Sequence, residues 1–283
     1  MNYETITYEI EGPLAWITLN RPEKLNAINP QMVTELMSAT DRAQINDEVR
    51  VIIVKGEGRA FSAGFDLEST CRPDCTREEE IEGLKQKFQQ DFEMIMRFWD
   101  SPKPTVAAVH TYCLGGGMEL AMACDITIAA RDCRFGSPEV LYGSGAVALL
   151  LPYITGPKIA KEMLLTGNDR IDSELAEKWG LVNRVVKEEK LIDRARETAL
   201  AIARNDQMAV RISKQAINNT FEIGRMRDAL RHGLELGIAI EAAETKESSE
   251  FREILKRDGV KAAIDWREHK LGYIGQVKRH ELA

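Results

Sequence analysis

With 283 residues, 29% of them charged and a formal net charge of −7, the chain can bury a substantial core as one large domain or one domain with an appendage. The acidic balance argues against duplex nucleic acid as a main partner, because such proteins usually carry a basic face. No apolar run reaches membrane-spanning length without a charge or glycine, and the opening Met1-Asn-Tyr-Glu-Thr-Ile6 has no basic or apolar leader region, so no secretory signal is expected.

Residues 3–10 and the apolar run Leu14-Ala-Trp-Ile-Thr-Leu19 are predicted to form a hairpin across Glu11-Gly12-Pro13. A loop follows over 20–28, its path restricted by Pro22. Asn29-Pro30 then predicts a helix start, with Asn at the N-cap and Pro in the first turn. Met32, Val33, Leu36, Met37 and Ala43 carry that helix to about residue 46. Val49-Arg-Val-Ile-Ile-Val54 reads as a buried strand closed by Lys55-Gly-Glu-Gly58. Those glycines do not complete a dinucleotide fingerprint, since Phe61 stands where the third would be. Phe61-Ser-Ala-Gly-Phe-Asp-Leu67 reads as a strand-to-turn junction, and 68–77 as an irregular segment. Phe88, Phe92, Ile95, Met96 and Trp99 recur at helical spacing within 77–99, as expected of a core face. Ser101-Pro-Lys-Pro104 ends that helix.

The centre of the chain is Thr105-Val-Ala-Ala-Val109 followed by Cys113-Leu-Gly-Gly-Gly-Met-Glu-Leu-Ala-Met-Ala-Cys-Asp125. This pattern predicts a strand, a tight turn and a helix. Glycine lets the turn take positive φ and lets a ligand approach the main chain. The first turn of the helix offers unpartnered amides and the positive end of its dipole. Asp125-Ile-Thr-Ile-Ala-Ala130 predicts another strand, and Arg134-Phe-Gly136 opens a run to Glu139. Strand-strand-helix units therefore repeat in architecture, though not in sequence. From Pro157 onward helices are predicted at 158–165, 173–179, 189–204, 206–220 and 225–257, with a brief strand at 181–186. Asp258-Gly259 marks a stop before a last helix at 260–268, and 270–283 is a mixed-charge tail. The composition turns all-helical near residue 188, dividing 1–188 from 189–283. The helical end is expected to serve oligomer packing, and Trp266 suits an interface or a core.

The five cysteines are Cys71, Cys75, Cys113, Cys124 and Cys133. An odd number without a leader predicts reduced thiols and a cytoplasmic protein. Cys71 and Cys75 lack a second Cys/His pair at ligand spacing, so no metal site is expected. The candidate catalytic groups are carboxylates. Ser62 has no base beside it and no histidine lies in a glycine-turn context, which disfavours a Ser-His-Asp triad. Glu119, one turn into the helix, would be favoured as an ion by the dipole. Glu139, next to Pro138, Val140 and Leu141, would be raised by desolvation. That suggests Glu119 as base and Glu139 as acid, an order the residues alone leave open.

Arg21-Pro-Glu-Lys-Leu-Asn-Ala27, Phe61-Ser-Ala-Gly-Phe-Asp-Leu67, Leu114-Gly-Gly-Gly-Met-Glu-Leu-Ala-Met-Ala-Cys-Asp125 and Phe135-Gly-Ser-Pro-Glu139 occur in the order seen in the enoyl-CoA hydratase/isomerase (crotonase) superfamily. Leu165-Thr-Gly167 and Trp179-Gly-Leu-Val-Asn-Arg-Val-Val186 are similar to its later segments, so the resemblance spans roughly residues 5 to 265. It implies an α/β, ClpP/crotonase-like spiral of repeated ββα units with a C-terminal helical trimerisation region, assembling as trimers or hexamers. It also implies an acyl-CoA substrate, with coenzyme A part of that substrate and no separate cofactor. The amides of Phe65 and Gly116 match the family's oxyanion hole, and Glu119 with Glu139 match the pair kept by members that hydrate 2-enoyl-CoA. Lys24, Leu25 and Ala27, with Ala63, Asp66 and Leu67, resemble the surface that takes the adenine and pantetheine; Leu114, Gly115 and Pro138 complete the implied binding set. Two features depart from the pattern. Phe65 is bulkier than the usual alanine or glycine, and Leu141-Tyr-Gly-Ser-Gly-Ala-Val-Ala-Leu-Leu-Leu151 lacks the proline of the turn that helps place water. Isomerisation, thioester hydrolysis and a non-catalytic CoA- or RNA-binding role therefore stand as alternatives to hydration.

Overall fold

A computed structural model of the chain describes residues 3–70, 76–243 and 245–271. The first hairpin joins β1 (Ile6–Glu11) to β2 (Leu14–Leu19) through the predicted Gly12-Pro13 turn. Helix α1 (Pro30–Ile45) starts where the cap rule places it, the Asn29 side chain accepting from the Met32 amide at 2.9 Å. Strand β3 (Val51–Gly56) precedes α2 (Arg77–Trp99), whose first turn is closed by a reciprocal capping box between Thr76 and Glu79.

Then come β4 (Thr105–Val109), β5 (Tyr112–Leu114), α3 (Gly116–Ala123), β6 (Ile126–Ala130) and β7 (Arg134–Gly136). The chain continues through α4 (Leu151–Thr155), α5 (Pro157–Thr166), β8 (Ile171–Asp172), α6 (Ser173–Lys178) and β9 (Arg184–Val186). It ends in α7 (Leu191–Ala203), α8 (Gln207–Ile223), α9 (Met226–Ala242) and α10 (Lys246–Leu271).

The main sheet runs β1-β2-β3-β4-β6-β9, antiparallel at its first pair and parallel elsewhere. A second sheet, β5-β7-β8, takes the second strand of the turns β4-β5-α3 and β6-β7-α4. These two turns each lay one strand in each sheet before a helix, the repeat of a ββα spiral. Parallel strands covered on both faces are continuously apolar, and alternation then sorts their side chains. Ala15, Ile17, Ile52, Val54, Ala107 and Val109 enter the main core, while Leu14, Trp16, Val51, Ile53, Val106 and Ala108 face the opposite side. That opposite side is covered by α7 through Leu191, Ala195, Ala199 and Ala203, a stripe at i, i+4 spacing whose small residues allow close approach.

Four expectations change. Residues 61–67 do not form a strand; they make single bridges, Ser62 to Cys113 and Phe65 to Ile28. Strand β4 does not run into the glycine turn, because β5 intervenes in the second sheet. Of the strand expected at 181–186, only Arg184–Val186 forms β9, while the Leu181 and Val182 amides turn back to the Ala176 carbonyl. The helix expected over 225–257 is two, since Thr245 caps a new start by accepting the Ser248 amide at 3.1 Å. Gly259 does break the last helix, with φ 84° and ψ 175°. Trp266 packs within the chain beside Phe251, ring centroids 6.3 Å apart. No helix of the described residues is long and apolar enough to cross a membrane. Cys71 and Cys75 lie outside the described residues, as does nearly all of the tail.

Candidate active site

Strand β5 delivers the chain to Gly115, which has φ 50° and whose amide donates to the Gly136 carbonyl at 2.9 Å. A side chain there would be strained by the backbone and would also overlap the Glu139 carboxylate. Helix α3 begins at the next residue, so the Gly116 amide has no acceptor within its own helix. Alongside runs the segment from Ser62 to Asp66. It is held to β5 by Ser62 N to Tyr112 O (2.9 Å) and Leu114 N to Ser62 O (3.1 Å). Ile28 holds its other side through its own amide to Gly64 O (2.8 Å) and through Asp66 N to Ile28 O (2.9 Å). Because residues 64 and 66 serve Ile28, the intervening Phe65 amide points away from it. The Phe65 ring lies over Gly116, where even a methyl group would collide with it. The two amides singled out from sequence therefore belong to adjoining backbone segments.

Every residue of α3 is buried, including Glu119 at 3% exposure. Both oxygens of that carboxyl accept main-chain amides, Val147 N at 3.0 Å and Ala148 N at 2.8 Å. Burial pushes its pKa up to about 8, the Glu139 charge adds to the rise, and the two amides oppose it. The sequence expectation that the dipole would keep Glu119 ionised is thus corrected. A dipole contributes ~1 kcal/mol at a helix end, and full desolvation outweighs it. Burial raises Glu139 as well, opposed chiefly by the Ser137 hydroxyl, which donates to Glu139 Oε2 at 2.6 Å. Val140, expected to help desolvate it, is exposed instead.

Both glutamates line a cleft of about 390 Å³. Of the sequence-predicted binding residues, Leu25, Ala63, Asp66, Leu67, Leu114, Gly115 and Pro138 line it with Phe65. Lys24 and Ala27 do not. Lys24 is half-exposed and its ammonium is held by Glu68 at 3.0 Å. The Ala27 carbonyl accepts the Arg21 guanidinium at 2.6 Å, and the same nitrogen pairs with Asp66 at 2.8 Å. The Asp66 carboxylate is therefore engaged within the fold. Depressions of similar volume elsewhere, such as one of about 450 Å³ between Gln44 and Arg211, contain neither glutamate.

Sequence reasoning missed several residues of the cleft. Lys87 and Asp91, four apart on α2, form an ion pair at 2.6 Å, and Asp91 is 3% exposed. Tyr142 follows Glu139 by three residues and stacks on Phe251 of α10, centroids 5.1 Å apart. Phe251, Arg252, Leu255 and Arg267 bring α10 over the cleft. Helical spacing signalled that Lys87 and Asp91 share a face, but not that the face borders a cavity.

The fold and cleft define an α/β protein whose carboxyl pair is set against a helix N-terminus. Residues 9–256 match the family model described as enoyl-CoA hydratase/isomerase, and the chain belongs to that family. It is 39% identical over 230 residues to a probable enoyl-CoA hydratase of Mycobacterium tuberculosis, covering 78% of this chain and 84% of that one. It is 37% identical over 222 residues to the crotonyl-CoA hydratase of Syntrophomonas wolfei, covering 77% and 83%. The crystal structure of an enoyl-CoA hydratase/isomerase from Xanthobacter autotrophicus superposes with a TM-score of 0.90 at 43% identity, covering 95% of this chain and 99% of that one.

Proposed function

We propose that the protein is an enoyl-CoA hydratase that adds water reversibly across the double bond of a 2-enoyl-CoA thioester. The observation that carries this reading is one cleft bordered by both Glu119 and Glu139, beside the Phe65 and Gly116 amides. The relatives named as hydratases support it. The thioester oxygen accepts from the two amides, which stabilise the enolate as charge moves onto it; such donors contribute ~3–4 kcal/mol each to an oxyanion.

The chemistry needs the carboxyl pair to hold one proton. The ionised partner takes a proton from water as the water oxygen bonds to the β-carbon. The protonated partner gives its proton to the α-carbon, so the pair ends with the same number it began with. Burial raises both carboxyls, Glu119 to about 8; because the Ser137 hydroxyl favours the ionised form of Glu139, we assign the shared proton to Glu119 and the charge to Glu139. Segment 141–151, whose missing proline set it apart, supplies the amides that orient Glu119.

Coenzyme A enters as part of the substrate, and this reading requires no separate cofactor. Self-association as trimers or hexamers through the 189–283 region belongs to the same proposal. Its support is the exposed apolar residues of α8 and α9: Met208, Ile212, Ile217, Ile223, Leu236 and Ile240. Sedimentation analysis tests it, a monomer at working concentration being the contrary result. The activity test is loss of the enoyl-thioester absorbance of crotonyl-CoA and longer homologues, with product analysis in ¹⁸O-labelled water. Label at the β-carbon supports hydration; label in a carboxylate, or none with a shifted double bond, points to hydrolysis or isomerisation.

A further inference from the structure

The Lys87–Asp91 pair has no part in the reaction above, yet it lines the same cleft. It lies on the reacting side, since the Lys87 ammonium is 4.9 Å from the centre of the Phe65 ring, the same ring that lies over Gly116. Burying an ion pair carries a desolvation cost that mutual attraction offsets only when the remaining hydrogen-bonding capacity is also used. Here it is not. Lys87 has three N–H donors and gives one to Asp91 Oδ2. The other oxygen, Asp91 Oδ1, has no hydrogen-bond partner among the described residues, although the side chain is almost wholly buried.

A plain alkyl chain laid against this wall would strip the remaining water from both groups and return nothing. A carboxylate on the acyl chain is disfavoured too, because the described lining carries six carboxyl groups against three cations. An ammonium group would meet Lys87. A neutral hydroxyl fits both partners, donating to Asp91 and accepting from Lys87.

Resting on the hydratase reading for its reaction, we propose that Lys87 and Asp91 are specificity determinants, selecting 2-enoyl-CoA thioesters that carry a neutral hydroxyl beyond the double bond over their alkyl isosteres. Sites built to hydrogen-bond a substrate hydroxyl reject the analogue lacking it far more strongly than apolar pockets reject an added one.

The test uses matched pairs in which hydroxyl replaces a terminal methyl: 4-hydroxy-2-butenoyl-CoA against 2-pentenoyl-CoA, and 5-hydroxy-2-pentenoyl-CoA against 2-hexenoyl-CoA. Wild-type kcat/KM should favour the hydroxylated member by about 10-fold or more in at least one pair. The saturated counterparts, which cannot react, should show the same preference in calorimetric Kd. Replacing the pair by Lys87→Met with Asp91→Leu should erase or invert the ratio, and the wild-type comparison stands whether or not that variant folds. Turnover of both members with no preference, or an unchanged ratio in a folded double variant, overturns the inference and leaves hydration standing. A binding preference without turnover overturns hydration and leaves the inference standing. Absence of both overturns both.

Discussion

Replacing Glu119 by glutamine should make the protein less stable than wild type in mild acid and more stable in mild alkali. The folded state holds the Glu119 proton up to about pH 8, whereas an unfolded glutamate releases it near 4.5. Between those values the folded state binds the extra proton, so wild-type stability falls as pH rises through that window and levels off above it. At ~1.4 kcal/mol per pH unit, the whole window amounts to about 5 kcal/mol as an upper limit. Glutamine does not titrate, but it has only one acceptor to offer two amides. Its NH₂ must face either Val147 N or Ala148 N, which costs about 1–3 kcal/mol. The variant therefore starts behind at pH 5, crosses the wild type near pH 6 and leads by roughly 2–4 kcal/mol at pH 9. Thermal and urea denaturation from pH 5 to 9, at one protein concentration so that any association equilibrium is matched, measures the difference curve. A difference that is flat with pH, or that moves in the wild type's favour as pH rises, would refute the assignment of a raised pKa to Glu119. Glu139→Gln supplies an internal control. Removing that charge leaves burial as the chief cause of the rise, so the falling window should still open near 4.5 but close at lower pH.

Glu119→Gln and Glu139→Gln should each lower kcat on crotonyl-CoA by about 10²–10⁴-fold; near-normal turnover in both would remove the carboxyl pair from the mechanism. Wild-type kcat/KM should decline above about pH 8 as Glu119 loses its proton, and Ser137→Ala should move the acid limb to higher pH, because the hydroxyl that favours ionised Glu139 is gone. Gly115→Ala places a methyl group on the Glu139 carboxylate at φ 50°, with an expected loss of about 1–3 kcal/mol in stability and a lower kcat, read from melting curves and initial rates. Lys214→Met removes the 2.7 Å partner of Asp125, neither residue lining the cleft; about 2 kcal/mol of stability should go while kcat is kept, which separates fold from chemistry.

How much of this was readable beforehand follows from how local each signal is. Asn29, the Gly115 turn and the apolar strands speak through neighbouring residues, and they are found where the sequence puts them. The break at Thr245 was also local, a hydroxyl three residues before the amide it caps, yet the apolar spacing on both sides of it read as one helix. Asp91 gives no such signal: its chemistry comes from being carried by α2 into a cavity built by segments distant in sequence. The amides of Val147 and Ala148 leave no trace either, because a main-chain donor has the same composition wherever it points. The dipole at α3 is local and burial is not, which is why reasoning from the helix alone gave Glu119 the wrong proton affinity.

Two sets of donors in this cleft belong to the backbone. One set, at Phe65 and Gly116, is the pair we assign to the thioester oxygen; the other, at Val147 and Ala148, grips Glu119. Side-chain replacement cannot delete a main-chain N–H other than by proline, so sensitivity to mutation should concentrate where side-chain volume moves the backbone. Gly115 and Gly116 are such positions, wedged against the Glu139 carboxyl and the Phe65 ring. The short helix between the two sets is buried at all eight of its residues, and that burial is what lets it act as a rigid spacer. The same enclosure raises the pKa of Glu119. A helix packed rigidly enough to fix the Gly116 amide therefore also raises the proton affinity of Glu119, and one packing arrangement supplies both requirements of the proposed reaction.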